Sequence, residues 1–99
     1  MNQKYEITDI VHPQYPWLHR IRALRDVRED VHAGDLGGFV QSEENLSQEG
    51  QCWVANNAVA AEESYISGDA IMWDYSCARG CAVISGKSRI GGEAIIEDH

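Results

Sequence analysis

The sequence predicts an all-β fold: a parallel β-helix of triangular coils, closed at its start by a β-hairpin. Three registers in phase predict it. From Ala58 every sixth residue is small: Ala58, Ser64, Ala70, Ser76, Ala82, Ser88, Ala94. Two places after each of these stand Ala60, Ile66, Met72, Ala78, Ile84, Ile90 and Ile96. Four places after stand Glu62, Gly68, Asp74, Gly80, Gly86, Gly92 and Asp98, a position rich in residues that tolerate positive φ. A beat of six matches neither helical period, so each hexad reads as a short strand plus a tight corner. Three hexads close a coil of 18 residues, and residues 36–99, 64 in number, give about three and a half coils. Extended backwards, the frame puts Leu36 and Val54 inside and Gly38, Gly50 and Asn56 at corners, and weakens at Ser42 and Gln48.

The first 35 residues lack the beat and form the predicted cap. Tyr5 to Val11 is strand-like, His12-Pro13-Gln14-Tyr15-Pro16 is a turn, and Trp17 to Val27 supplies a second strand. Solenoids need such a cap, because an open end exposes apolar core and unpaired strand edge. The two parts, 1–35 and 36–99, make one folded unit, since 99 residues suffice for one domain. No equivalent cap follows Ile96, which predicts a homo-oligomer, dimer or trimer, unless Glu97, Asp98 and His99 shield that end.

These residues resemble the left-handed β-helix proteins with hexapeptide repeats, best known from bacterial acyltransferases. The segment Gly34-Asp35-Leu36-Gly37-Gly38-Phe39-Val40, with Glu44-Asn45-Leu46-Ser47, Glu49-Gly50 and Trp53-Val54, is similar to a bacterial and phage group of hexapeptide-repeat, transferase-like proteins. The resemblance covers roughly residues 20–99 and alone implies the left hand. It also implies acyl transfer with a histidine as general base. The repeat from Ala58 to Ala94 holds no histidine and no inserted loop, which argues against catalysis. His32, before Gly34-Asp35, is the one histidine with a flexible neighbourhood.

Eight Lys and Arg against 16 Asp and Glu leave a net charge of −8, which argues against direct binding of nucleic acid and for a basic protein partner. Between Arg28 and Arg79 there is no Lys or Arg. Glu44 and Glu62, 18 apart, should stack on one corner beside Glu43 and Glu63, with Asp69 and Asp74 extending the acidic surface and Glu97 and Asp98 continuing the edge. That corner reads either as a solvated face or as a dock. One outer face carries Trp53, Ile71 and Trp73, with Tyr75 near it, and a second carries Val59, Cys77 and Ile95; with Ile96 these are the candidate partner or oligomer contacts. The alternative is that the N-terminal strands fold back over one face. Cys52, Cys77 and Cys81 read as reduced thiols, and neither they nor the scattered histidines have zinc spacing. Cys77 should be a poor nucleophile, because acidic neighbours raise its pKa. No cofactor and no metal are expected. No apolar run is long enough to span a bilayer and the N-terminus is polar, so the expected location is the cytoplasm.

The reading that follows is a non-catalytic binding protein. Its acidic corner and aromatic face would engage a nucleic-acid-handling or defence protein, as a phage inhibitor or adaptor of the anti-CRISPR kind. The alternatives are an acyltransferase-like enzyme using acyl-CoA and a structural oligomerisation module.

Overall fold

The computed structural model describes residues 3–98. Its strands are β1 (Tyr5–Val11), β2 (His19–Ala23), β3 (Leu36–Val40), β4 (Trp53–Val54), β5 (Val59–Ala60), β6 (Tyr65–Ile66), β7 (Ile71–Met72), β8 (Cys77–Gly80), β9 (Val83–Ile84), β10 (Arg89–Ile90) and β11 (Ile95–Asp98). A single 3-10 turn, Glu43–Asn45, is the one helical element among the described residues. The strands form three walls. The first runs β1-β2-β3-β5-β8-β11, the second β10-β7-β4, and the third β6-β9, with Leu46 bridging to Ile66. Pairing is parallel throughout the walls and antiparallel only where β1 meets β2 and β2 meets β3. The molecule is a β-solenoid of about three turns.

The corners follow from the third register of the repeat. Gly50, Asn56, Glu62, Gly68, Asp74, Gly80, Gly86 and Gly92 all have positive φ, six residues apart. From Asn56 onward each is the first central residue of a tight turn closed by a bond such as Ala58 N–H to Ala55 O or Ser64 N–H to Ala61 O. Between the turns the backbone ladder does not pause. Asn57, Val59, Ala61, Glu63 and Tyr65 donate in succession to Asp74, Ser76, Ala78, Gly80 and Ala82 of the next coil. Small and apolar registers both face inward because they lie two apart on extended chain: Ala58, Ser64, Ala70, Ala60, Ile66 and Met72 are all fully buried.

The backward extension of the frame slips by two residues. Trp53 pairs with Ile71 at a spacing of 18, but Phe39 pairs with Val59 and Leu46 with Ile66 at a spacing of 20. Two extra residues therefore lie between Leu46 and Trp53, where the repeat weakens. Leu36, expected inside, is half exposed, and Val40 takes the inward place opposite Ala60.

The hairpin is a cap, as the sequence implies, and it continues the first wall past its first coil. Lys4, Tyr5, Ile21 and Ala23 are buried across the opening of the prism. The Tyr5 hydroxyl donates to Leu46 O, and its ring meets Trp53 edge-on with centroids 6.4 Å apart. At the other end, His99 lies outside the described residues, so its shielding role is not described.

Among the described residues one buried side-chain polar atom has no partner: the Ser64 hydroxyl. Ser76 and Ser88 at equivalent places donate to the carbonyl three residues back. Ser64→Ala should therefore be neutral or stabilise by up to about 1 kcal/mol in urea unfolding. A clear loss of stability would mean that Ser64 makes a bond of the Ser76 kind.

Candidate functional site

The second wall turns its outer residues Trp53, Ile71 and Trp73 away from the prism. They do not form a bare patch. Trp53 is 1% exposed and Ile71 8%, and only Trp73 is half open. The cause is the segment after β2. Val27 and Val31 join the core cluster that contains Trp53, and Arg28 ties the segment down by donating to Gln51 O (2.8 Å) and Asp69 O (3.2 Å). Trp53 and Ile71 are thus internal contacts of the chain, and the segment after β2, not the N-terminal strands, crosses this face.

The crossing leaves a trough of about 460 Å³ between segment and wall, lined by Asp30, Val31, Asp35, Leu36, Trp53, Ala55, Asn56, Ile71, Trp73 and Arg89. A second depression, sharing Asp30, Ile71 and Arg89, extends it towards Arg28 and Glu29. The Trp73 indole lies against Gly91: a Cβ there would sit 2.1–2.4 Å from three ring atoms. Gly91→Ala should therefore displace the indole and reshape the trough, read as a shift of the Trp73 ring signals. An unmoved ring would show that the wall gives way instead.

His32 is exposed. Its Nδ1 lies 3.8 Å from Asp26 Oδ1, and its backbone N–H donates to Asp35 Oδ2 at 2.9 Å. Its neighbours Val31 and Asp35 line the trough, and His32 itself does not.

The six acidic candidates lie apart. With the register slipped by two, Ser42 and not Glu44 falls opposite Glu62, so the Glu44–Glu62 stack does not form. Glu43 and Glu44 sit in the 3-10 turn. Glu62 and Glu63 share a depression with Gly80, Cys81, Glu97 and Asp98, while Asp69 and Asp74 occupy the other two corners. Several of these carboxylates bond within the fold. Glu62 Oε1 accepts from Gly80 N–H (2.6 Å), Asp69 Oδ1 from Gln51 N–H (3.1 Å) and Glu63 Oε2 from the Cys81 thiol (3.3 Å). Glu97 pairs with Arg79 at 3.0 Å.

The outer column of the first wall runs Phe39, Val59, Cys77, Ile95. Leu18 and the His12 ring cover Phe39, Val59 is half-buried, and Ile95 is exposed. Ile96 faces the prism and packs on its core, and Tyr75 stands exposed on a corner. The Cys77 thiol is pushed up, as expected, but burial is the main cause and the nearby Glu62 and Glu97 add less. All three thiols are free, and the described residues hold no cluster with the makings of a metal site. No helix among them is long and apolar enough to cross a membrane.

The sequence missed two things here: the trough, because nothing in the repeat says which wall the first 35 residues cross, and the exposed Tyr65–Val83 pair on the third wall.

Repeat, corners and stacked parallel walls define the architecture: a parallel β-helix built on a six-residue repeat. Over 80 residues, 80% of its length, the chain is 36% identical to an uncharacterised acetyltransferase, YdcK, of Escherichia coli (strain K12). It spans only 19% of that relative's length. No family model matches the chain.

Proposed function

We propose that this β-helix is of the acetyltransferase type and that acyl transfer takes place at the trough on its second wall. The observation that carries the reading is the match over 80% of the chain to a protein named as an acetyltransferase. That match favours acyl transfer over the inhibitor or adaptor reading. His32 is the candidate base on this reading: its Nδ1 lies 3.8 Å from Asp26 Oδ1, a carboxylate able to stabilise the imidazolium formed when His32 takes a proton. The trough supplies an apolar floor with polar walls, in the size range of small-molecule sites. Free Cys52, Cys77 and Cys81 support a reducing compartment, for which we take the cytoplasm. The exposed Ile95, beside the half-buried Cys77, supports side-by-side packing of two or three prisms through the first wall, which light scattering would read.

The experiment is a thermal shift with acetyl-CoA and a thiol-release assay with acetyl-CoA in the presence of a panel of amine and hydroxyl acceptors. A saturable rise in Tm is expected, since a ligand at 100 times its Kd stabilises by about 2.7 kcal/mol. His32→Gln should keep the rise and lose thiol release. No rise and no thiol release from the unsubstituted chain would end the acyl-transfer reading.

A further inference from the structure

We infer that Lys4 and Cys52 are an oxidation site: peroxide joins their side chains in a sulfenamide, which staples the cap to the coil beneath it. The site is a pair, not a single thiol. Lys4 Nζ lies 3.1 Å from Cys52 Sγ, and both residues are fully buried.

The surroundings of the pair favour the link. A buried ammonium is ordinarily matched by a carboxylate. Among the described residues Lys4 has none: its Nζ donates to Cys52 O and Glu49 O, and its third neighbour is the sulfur. Burial, the largest influence on Lys4, favours the neutral amine, which carries the lone pair that a nucleophile needs. Around Sγ the carbonyls of Ser47, Glu49 and Ile66 lie at 3.6, 3.6 and 3.7 Å, so the Lys4 nitrogen is its nearest hydrogen-bonding neighbour. The exposed Cys81 offers the contrast: its thiol donates to Glu63, a carboxylate that cannot take the place of an amine.

The chemistry balances with one hydrogen peroxide per link. The Cys52 sulfur attacks a peroxide oxygen, the O–O bond breaks, and a sulfenic acid and one water form. Sulfur is thereby oxidised by two electrons and the peroxide reduced by two. The Lys4 amine then attacks the sulfenic sulfur. An N–S bond forms, the S–O bond breaks, and the departing hydroxide takes one proton from nitrogen to leave as a second water. The linked nitrogen keeps one N–H for the Cys52 carbonyl, and a buried charge is removed. Neither atom is exposed, so peroxide enters when the capped edge opens locally, and reclosure returns the amine to the sulfur.

The test uses the full chain carrying Cys77→Ser and Cys81→Ser, so that Cys52 is the one remaining thiol. It is treated with hydrogen peroxide, alkylated, digested with trypsin and analysed by mass spectrometry. The link blocks cleavage after Lys4. The expected product joins peptide 1–20 to peptide 29–79 and is lighter than their sum by two hydrogens. Dithiothreitol should restore the separate peptides. The linked chain should melt roughly 10 °C or more above the reduced one, because Lys4 and Cys52 are 48 residues apart. Lys4→Met should carry Cys52 only to sulfenic and sulfinic acids. Peroxide added to the urea-unfolded chain should give no link, because the fold brings the two side chains together. A Cys52 thiol that survives peroxide, Cys52 sulfinic acid with Lys4 still open to trypsin, or equal linkage in the unfolded chain would each overturn the assignment.

Discussion

Gly38→Ala is expected to be among the most damaging single changes in this chain, costing about 2–3 kcal/mol and lowering Tm by roughly 10–20 °C. Gly38 lies where the first coil passes over the second. A Cβ there would sit 2.4 Å from Ala58 O and 2.8 Å from Val54 Cγ1. The first obstacle is backbone that also accepts the Phe39 N–H, so relief requires breaking the ladder that joins β3 to β5. Gly86→Ala is the control. Gly86 has φ +64 and nothing within 4 Å, so its cost should be the left-handed penalty of about 1 kcal/mol alone. Gly92→Asn should be milder still, because Asn56 already holds the equivalent corner at φ 56. Thermal melts of the three variants settle the order. If Gly86→Ala proved the worst, close coil approach would not be what limits position 38.

Lys4→Ala should cost about 2–4 kcal/mol. Lys4 is fully buried at the capped end, and its Nζ donates to Cys52 O (2.8 Å), Glu49 O (3.2 Å) and Cys52 Sγ (3.1 Å). Truncation leaves a cavity, strips the buried Cys52 carbonyl of this donor and weakens the bonding of the Glu49 carbonyl. Burial, the dominant cause, also holds the Lys4 pKa below its ordinary 10.5, so between that lowered value and 10.5 the unfolded chain binds more protons. Its contribution to stability therefore rises with pH across that window and is level above it. Tyr5 beside it behaves oppositely. Burial raises its phenol above the ordinary 10.0, so above pH 10 the folded chain holds a proton that the unfolded chain has lost, and stability falls. Urea midpoints from pH 7 to 11 should climb towards about pH 10 and then drop. Lys4→Met should remove the climb and Tyr5→Phe the drop; a climb that survives Lys4→Met would refute the account.

The solenoid was legible because its cause is local and repeated. A corner needs positive φ, Gly, Asn and Asp accept it, and both recur every six residues. Glu62 shows the pattern overriding residue preference: it adopts φ 59 because the corners before and after it in the coil dictate the path. The slip between Leu46 and Trp53 was only half legible. A weakened repeat signals an irregularity, but its size depends on which strands pair. The expected acidic corner failed for that reason, since moving the register by two residues separates Glu44 from Glu62.

The candidate site was less legible still. Trp53 and Ile71 carry the outward signature correctly, yet they are buried, because the covering segment comes from residues that share no period with the wall beneath. His32 was recognisable as the histidine with a flexible neighbourhood, but its nearness to Asp26 comes from a bend that no spacing rule encodes.

Sequence by itself determined the inward and outward alternation, the corners and the capped start, since each depends on a side chain and its immediate backbone. Tertiary structure alone decided which wall the first 35 residues cross, where the coil register slips and which charges meet. Those depend on contacts such as Arg28 with Gln51 and Asp69, or Lys4 with Cys52, made between residues whose separation along the chain carries no periodic signal.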